Sequence, residues 1–429
     1  MIPSMVIVTL PVGEFDTELV IKEFEAQIQC LKHPGINLVV ADPVSDQEGA
    51  GQFIRELTEV NPDLVLIIPL RGLSAQVIEA AGLNNHIPCL IWPVQGRFAL
   101  PSSALSVGAL RESCVPVELL YAPPDHPGTF EKLSCVTRAA TAFSRIRRSC
   151  IGIIGCLFPN LVACRYDPQI VNTRLGVTLL PISFEEIRSS MQRISQQIQE
   201  SEQSQQEIAK SYAVNAADKK AFDIGYQLHL ALKLVAQEKK IDGFAAECWS
   251  GFPRELGSNP CMGFIEDAYT LACEGDVMLC VSLLLVKYLT NTSAYVGDLY
   301  DVDPDGILTL VHCGAPASLA TNLSEVVLVK SPLALERGFE TMTCRPRVDP
   351  GPVTLFRFYG RECDRMHLAS GEVVSCEQTS NVTVKVKLSG DRWDFLEQCF
   401  GNHYLVVAGD IRSELKLLGK WLGITIFET

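Results

Sequence analysis

The chain has 429 residues, too many for one ordinary core, so two or three domains are expected. Apolar residues make up 47% and charged residues 20%, the composition of a well-packed globular protein. A net charge of −14 argues against nucleic-acid or anionic-membrane partners, which need a basic face, and suits solubility or a divalent cation. The opening MIPSMVIVTL has no basic n-region and runs straight into strand-like sequence, so no signal peptide is expected. The apolar run 277–289 is interrupted by Lys287 and is too short to span a bilayer. The sixteen cysteines show no C-x-x-C pairing, and several (Cys89, Cys156, Cys280) sit in apolar runs as small hydrophobes. Reduced thiols and a cytoplasmic location follow as the expectation.

In chain order, VIVTLPV, NLVVADPV, DLVLIIPL and PCLIWPV read as strands, each ending near a Gly or Pro. DTELVIKEFEAQIQCLK and QEGAGQFIRELTEV read as helices between them. Strands apolar on both faces and alternating with helices imply a parallel sheet covered on both sides, with ligands at the strands' carboxyl ends. The loop PVQGRFALPSS after the fourth strand therefore attracts interest. A second unit opens near Ser149 with CIGIIGCLFP, then GVTLLPIS and a helix from about Phe184. The Gln-rich stretch 185–240, with spaced Ile187, Met191, Ile194 and Ile198, reads as an exposed helical excursion with a second helix from about Ala217. DGFAAECW and the tract 261–298 complete this unit. After Leu319, TLFRFYG, MHLASGEVV, NVTVKVKL and HYLVVAG are short, partly alternating segments closed by the helix IRSELKLLGKWLGI. The expected architecture is thus two parallel-sheet α/β domains, 1–148 and 149–319, followed by a small antiparallel β-barrel-like or sandwich domain, 320–429.

The tract LACEGDVMLCVSLLLVKYLTNTSAYVGDLYDVD holds the most chemistry. Read as strand–helix–strand, it places Glu274 and Asp298 at the carboxyl ends of neighbouring parallel strands, on one edge of a sheet. Two carboxylates so placed repel each other and raise a pKa unless a cation lies between them. A metal site and an acid/base pair both follow, as does the blander alternative of a helix cap and a surface loop residue. In FGNHYLVVAGDIRSEL, His403 enters a strand; with two carboxylates it would complete a ligand set suited to Mn²⁺, although spacing alone does not bring the three together.

These segments resemble the L-fucose/L-arabinose isomerase superfamily, in its shorter fucose-isomerase-like branch. The likeness is strongest in ACEGD, YVGDLYDVD, LVHCGAPASLA and GNHYLVVAGDIRSELKLLGKWLGI, extends to CIGIIGCLFPN and LGVTLLPISFEEI, and is diffuse before residue 150. The resemblance implies that Glu274 and Asp298, 24 residues apart, and the His of Asn402-His403 ligate a divalent cation. Mn²⁺ is expected first, with Mg²⁺ or Co²⁺ as alternatives. It implies an aldose–ketose isomerase acting on an open-chain monosaccharide through an enediolate, one carboxylate taking the C2 proton and the other serving C1. It also implies a homo-oligomer, trimer or hexamer, in which the N-terminal domain reaches a neighbour's site, so that Arg97 of Gly96-Arg97-Phe98 would act in trans.

Further candidates for contact with the sugar are Asn402, His312, Cys313, Trp249 and Glu247, each also explicable by packing. Arg345 and Arg347 would suit an anionic sugar substituent or simply face water. Pro101-Ser102-Ser103 stands where that branch has an Asn-Ser-containing segment, and Gly275 where the longer enzymes have Asn. The first departure leaves the sugar open among deoxyhexoses, pentoses and a hexose modified at C6, for example by sulfonate. A sugar sensor without turnover, or a metal-dependent aldolase or epimerase, are the competing readings.

Overall fold

The structure is a computed structural model that describes residues 5–72, 74–83, 86–196, 211–212, 218–331, 338–339 and 341–429. The chain forms two compact units: 1–145 with 413–422, and 146–412 with 423–429.

The first unit is built on five parallel strands, β1 (Met5–Val12), β2 (Ile36–Val40), β3 (Leu64–Pro69), β4 (Cys89–Ile91) and β5 (Val117–Leu119), in the order β2-β1-β3-β4-β5. Every residue of β3 and β4 is buried, as strands covered on both faces require. The helix Gln47–Val60 begins at Asp46, whose carboxylate accepts from the Gly49 N–H, and points Ala50, Phe53 and Leu57 into the sheet's core. The segment Ala99–Ser103, expected as loop, is the start of the helix Ala99–Glu112. Pro101 is tolerated there because first-turn N–H groups have no partner within the helix.

The second unit opens with four parallel strands, β6 (Cys150–Ile154), β7 (Thr178–Ile182), β8 (Gly243–Ala246) and β9 (Thr270–Ala272), in the order β7-β6-β8-β9. The helices Phe184–Gln196 and Lys219–Lys239 account for the described part of the Gln-rich stretch. The rest of it, 197–210 and 213–217, lies outside the described residues. A closed six-stranded antiparallel barrel follows, made of β10 (Tyr295–Val302), β11 (Ile307–His312), β14 (Gly351–Tyr359), β15 (Arg365–Glu377), β16 (Val382–Leu388) and β17 (His403–Ala408). Its order is β14-β17-β10-β11-β16-β15, closed by pairing of β14 with β15. Between β11 and β14 the hairpin β12 (Val326–Lys330) and β13 (Met342–Pro346) places Val326, Leu328, Met342 and Cys344 in the core beneath the four-stranded sheet. A last strand, β18 (Thr425–Glu428), runs parallel to β15.

One expectation is corrected. β9 and β10 are not parallel neighbours: β9 ends the four-stranded sheet, whereas β10 is a stave of the barrel, paired antiparallel with β11 and β17. The helix between them, Val277–Thr290, packs on β8 and β9 and also on β14 and β17. Contact on both sides explains why it is apolar all round. Ser282 fastens it to the barrel, its Oγ accepting from the Phe358 N–H at 3.2 Å. No helix among the described residues is long and apolar enough to cross a membrane.

Candidate active site

The site lies where the carboxyl ends of β6, β8 and β9 meet the outer face of the barrel. A short 3-10 turn, Cys273–Gly275, leaves β9 and holds Glu274 at φ 61°, a strained conformation for a residue with a Cβ. Gly275 follows at φ 71°, and a Cβ there would lie 2.4 Å from the Cys156 carbonyl oxygen, so only glycine lets the turn nest against the loop after β6. Gly275→Ala is expected to lower unfolding stability by about 1–3 kcal/mol, read as a fall in the denaturant midpoint at unchanged slope. The Phe158 N–H donates to the Glu274 carbonyl at 2.8 Å, fixing the same approach.

Asp298 and His403 are brought together by the barrel, where they are directly opposed in the antiparallel β10–β17 pair. His403 Nε2 lies 3.6 Å from Asp298 Oδ1 and 3.5 Å from Glu274 Oε2. The imidazole is buried, while the Glu274 and Asp298 side chains are 27% and 45% exposed, so the carboxylates face the open side of the cluster. Asn402 donates from Nδ2 to Asp298 Oδ1 at 2.5 Å. The three proposed ligands and Asn402 thus converge, although the route is a barrel pairing and not a shared parallel-sheet edge.

Behind the imidazole stands a buried network that sequence reasoning missed. His403 Nδ1 lies 3.1 Å from Asp276 Oδ2, and Arg357 Nη2 donates to that same oxygen at 2.8 Å. The guanidinium also reaches Cys164 Sγ at 3.3 Å. Burial opposes the charge on Asp276, but Arg357 and then His403 outweigh it and hold the carboxyl far below the usual range. Burial likewise opposes protonation of His403, yet hydrogen bonds to Asp276, Cys164 and Glu274 raise its pKa well above the ordinary value. An ionised Asp276 can only accept, so Nδ1 carries a proton and Nε2 faces the two carboxylates. Cys164, Asp276 and His403 form a buried group of the kind that can hold a metal, with ligand atoms within 4.8 Å of one another. An arginine inside the apolar strand TLFRFYG was the one available sign of this network.

Of the remaining candidates, Cys313, Glu247 and Trp249 lie in segments that adjoin the cluster, and Arg97 belongs to the first unit. His312 is buried with Nδ1 2.6 Å from the Gly314 carbonyl oxygen. Next to it, Cys313 is half-buried; a hydrogen bond with Cys261 lowers its pKa against the effect of burial, and its thiol also feels Asp298 and Glu274. Glu247, at the end of β8, accepts from the Cys156 N–H at 2.9 Å and from the Cys156 thiol at 3.3 Å. Cys156, expected as a small buried hydrophobe, is exposed. Trp249 packs edge-on against Phe158, ring centroids 4.4 Å apart. Arg97 lies in the first unit, in a turn of positive φ, and is held by Asp16 and Thr17. Arg345 is buried on β13, whereas Arg347 is exposed.

No family model matches the chain. Among curated proteins it is similar to sulfoquinovose isomerase of Priestia aryabhattai, 24% identical over 364 residues, or 79% of each chain. It is also similar to sulfoquinovose isomerase of Alkalicoccus urumqiensis, 24% identical over 391 residues and 86% of each chain. A third protein of that name, from Clostridium sp. (strain MSTE9), is 23% identical over 392 residues, 85% of this chain and 86% of its own.

Proposed function

We infer that this chain is an aldose–ketose isomerase, and we propose that it is divalent-metal-dependent, resembles the fucose-isomerase-like branch, and acts on a hexose sulfonated at C6. The observation that carries the reading is the meeting of one buried imidazole with two partly open carboxylates at 3.5 and 3.6 Å. Relatives named sulfoquinovose isomerase over most of their length support the reaction and the sulfonated substrate.

The donor set fits a metal. With Nδ1–H committed to Asp276, a cation at Nε2 would replace the proton that faces Glu274 and Asp298 there, and would be met by one nitrogen and two carboxylates. Arg357 already compensates the Asp276 side of the buried Cys/Asp/His group. We therefore assign the ligands to the Nε2 side: Glu274, Asp298 and His403. A divalent cation held by these three residues would supply Lewis acidity at the sugar's carbonyl.

The protein's own residues do the rest. Asp276 and Arg357 lock the ring of His403, as outer partners of ligating histidines do. Asn402 fixes the rotamer of Asp298. One of the two carboxylates takes the C2 proton and the other manages the proton at C1. The homo-oligomer and a trans-acting Arg97 belong to the same reading.

The test uses protein treated with chelator and reloaded with Mn²⁺, in deuterated water, with sulfonated and neutral aldoses followed by NMR. Chelation is expected to abolish ketose formation and Mn²⁺ to restore it, with deuterium entering at C1 or C2. Full turnover in chelated protein would remove the metal from the proposal. Cleaved or epimerised products in place of ketose would replace the isomerase with an aldolase or epimerase.

A further inference from the structure

Arg345 lies on β13, with 3% of its surface exposed, and among the described residues no carboxylate pairs with it. Its Nη1 donates to the Thr379 carbonyl, but Nε and Nη2 have no hydrogen-bond partner. These two N–H groups form one edge of the planar guanidinium, the side-on fork that grips two oxygens of an oxyanion together. Arg357, also deeply buried, differs in having the Asp276 carboxylate against it. A buried cation with no anion is costly, and arginine does not escape that cost by losing its proton. A ligand carrying the missing negative charge would relieve that cost.

Its place in the fold connects it to the active site. Asp298 is paired with Val311 on β11, and Cys313 follows two residues later. Thr343 Oγ1 donates to the Cys313 carbonyl at 3.0 Å, and the Cys344 carbonyl accepts from the Ala315 N–H at 2.9 Å, so β13 runs alongside this segment. Arg345 is two residues beyond Thr343 and therefore on the same face of β13.

We propose that Arg345 is the specificity-determining anchor for the substrate's anionic tail, its free Nε–Nη2 edge taking two oxygens of the C6 sulfonate while the carbonyl end of the sugar lies at Glu274, Asp298 and His403. This rests on the isomerase reading above and adds the residue that selects the sulfonated sugar. A sulfonate is charged at all working pH values and its oxygens span the fork; a neutral hexose would leave the guanidinium unpaired, so the pocket selects by penalty as well as by attraction.

The experiment compares wild type, Arg345→Gln and Arg345→Lys, all loaded with Mn²⁺, on 6-sulfo-6-deoxyglucose, 6-deoxyglucose and glucose 6-phosphate. The ratio of kcat/KM for the sulfonated over the 6-deoxy sugar is expected to collapse by about 10²-fold in Arg345→Gln, mainly through KM. Arg345→Lys, which keeps the charge without the fork, is expected to fall in between. An unchanged ratio in a wild type that does convert the sulfonated sugar overturns this assignment alone. A wild type that isomerises only unsulfonated sugars overturns the substrate reading as well. A wild-type preference for the phosphate ester makes Arg345 a phosphate anchor and overturns the sulfonate. A crystal structure of wild type with the non-reacting sulfonated alditol stands apart from activity and from the variants' folding. Sulfonate oxygens on Nε and Nη2 support the proposal, and a sulfonate held elsewhere overturns it.

Discussion

Glu274→Gln and Asp298→Asn are each expected to lower kcat by on the order of 10²–10⁴-fold, the range for loss of a positioned acid or base, with little change in stability. Both side chains are partly exposed, so the isosteric amides fit without a cavity or a buried orphan. The amide cannot take a proton from C2 and is a weaker donor to a cation than a carboxylate. Two readouts divide those losses. Metal content after dialysis reports on the ligand role, and exchange of the C2 proton with deuterated water reports on the base. If Glu274→Gln keeps its metal but loses exchange, Glu274 is the C2 base; the mirror result assigns Asp298. Near-wild-type kcat in either variant would remove that carboxylate from the chemistry. His403→Ala is expected to fail earlier, at metal retention, because it deletes the buried nitrogen that faces both carboxylates.

What the sequence made legible follows the range of the interaction that writes each element. β1, β3 and β4 were readable because strands covered on both faces are apolar runs, and the helix Gln47–Val60 because its cap at Asp46 and its apolar stripe are both local. β5 escaped notice because Glu118 interrupts Val117–Leu119, whereas β4, equally short, sits in the apolar run PCLIWPV. β10 was placed in the wrong sheet for an instructive reason. Locally, β9, a helix and β10 form a strand–helix–strand pattern that reads as a parallel unit. The partner of β10 is settled instead by pairing with β17, where Tyr295 meets Val406 and Asp298 meets His403. No local pattern carries that information.

The site divides in the same way. Glu274, Asp298, Asn402 and His403 stood out because carboxylate and imidazole motifs are visible in the sequence, and a family resemblance brought them together before any geometry did. Asp276 was seen as part of Glu274-Gly275-Asp276 and given no work, since nothing near it in sequence shows that Arg357, 81 positions away, neutralises it. Arg345 stayed open between an anion-binding residue and a solvated loop charge, because burial of a long polar side chain depends on what packs over it, not on its neighbours in the chain.

The Asp276–Arg357 pair carries the second large effect. Removing either charge alone leaves its partner buried and unpaired, so Arg357→Met and Asp276→Asn are each expected to lower the unfolding free energy by about 3–5 kcal/mol. Asp276→Asn is the cleaner variant. Asp276 caps the helix Val277–Thr290 through Oδ1, which accepts from the Leu279 N–H at 2.9 Å, and asparagine caps equally well. The loss therefore reads the charge and not the cap. The pH dependence has a definite sign. Because the Asp276 carboxyl is depressed in the folded protein, its contribution is fully present above the unfolded value, about pH 4, and is lost only as pH falls through the lower folded value. The stability gap between wild type and Asp276→Asn should close in strong acid, and should also narrow as pH rises above neutrality through the raised pKa of His403, which Asp276 supports. The double variant Asp276→Asn/Arg357→Met separates scaffold from function. With both charges gone, no buried ion is left unpaired and most of the stability should return. Activity should stay about 10–100-fold down, because Nδ1 of His403 has still lost its anionic partner. Recovery of both together would mean that the pair serves the fold alone and that His403 needs no orienting carboxylate.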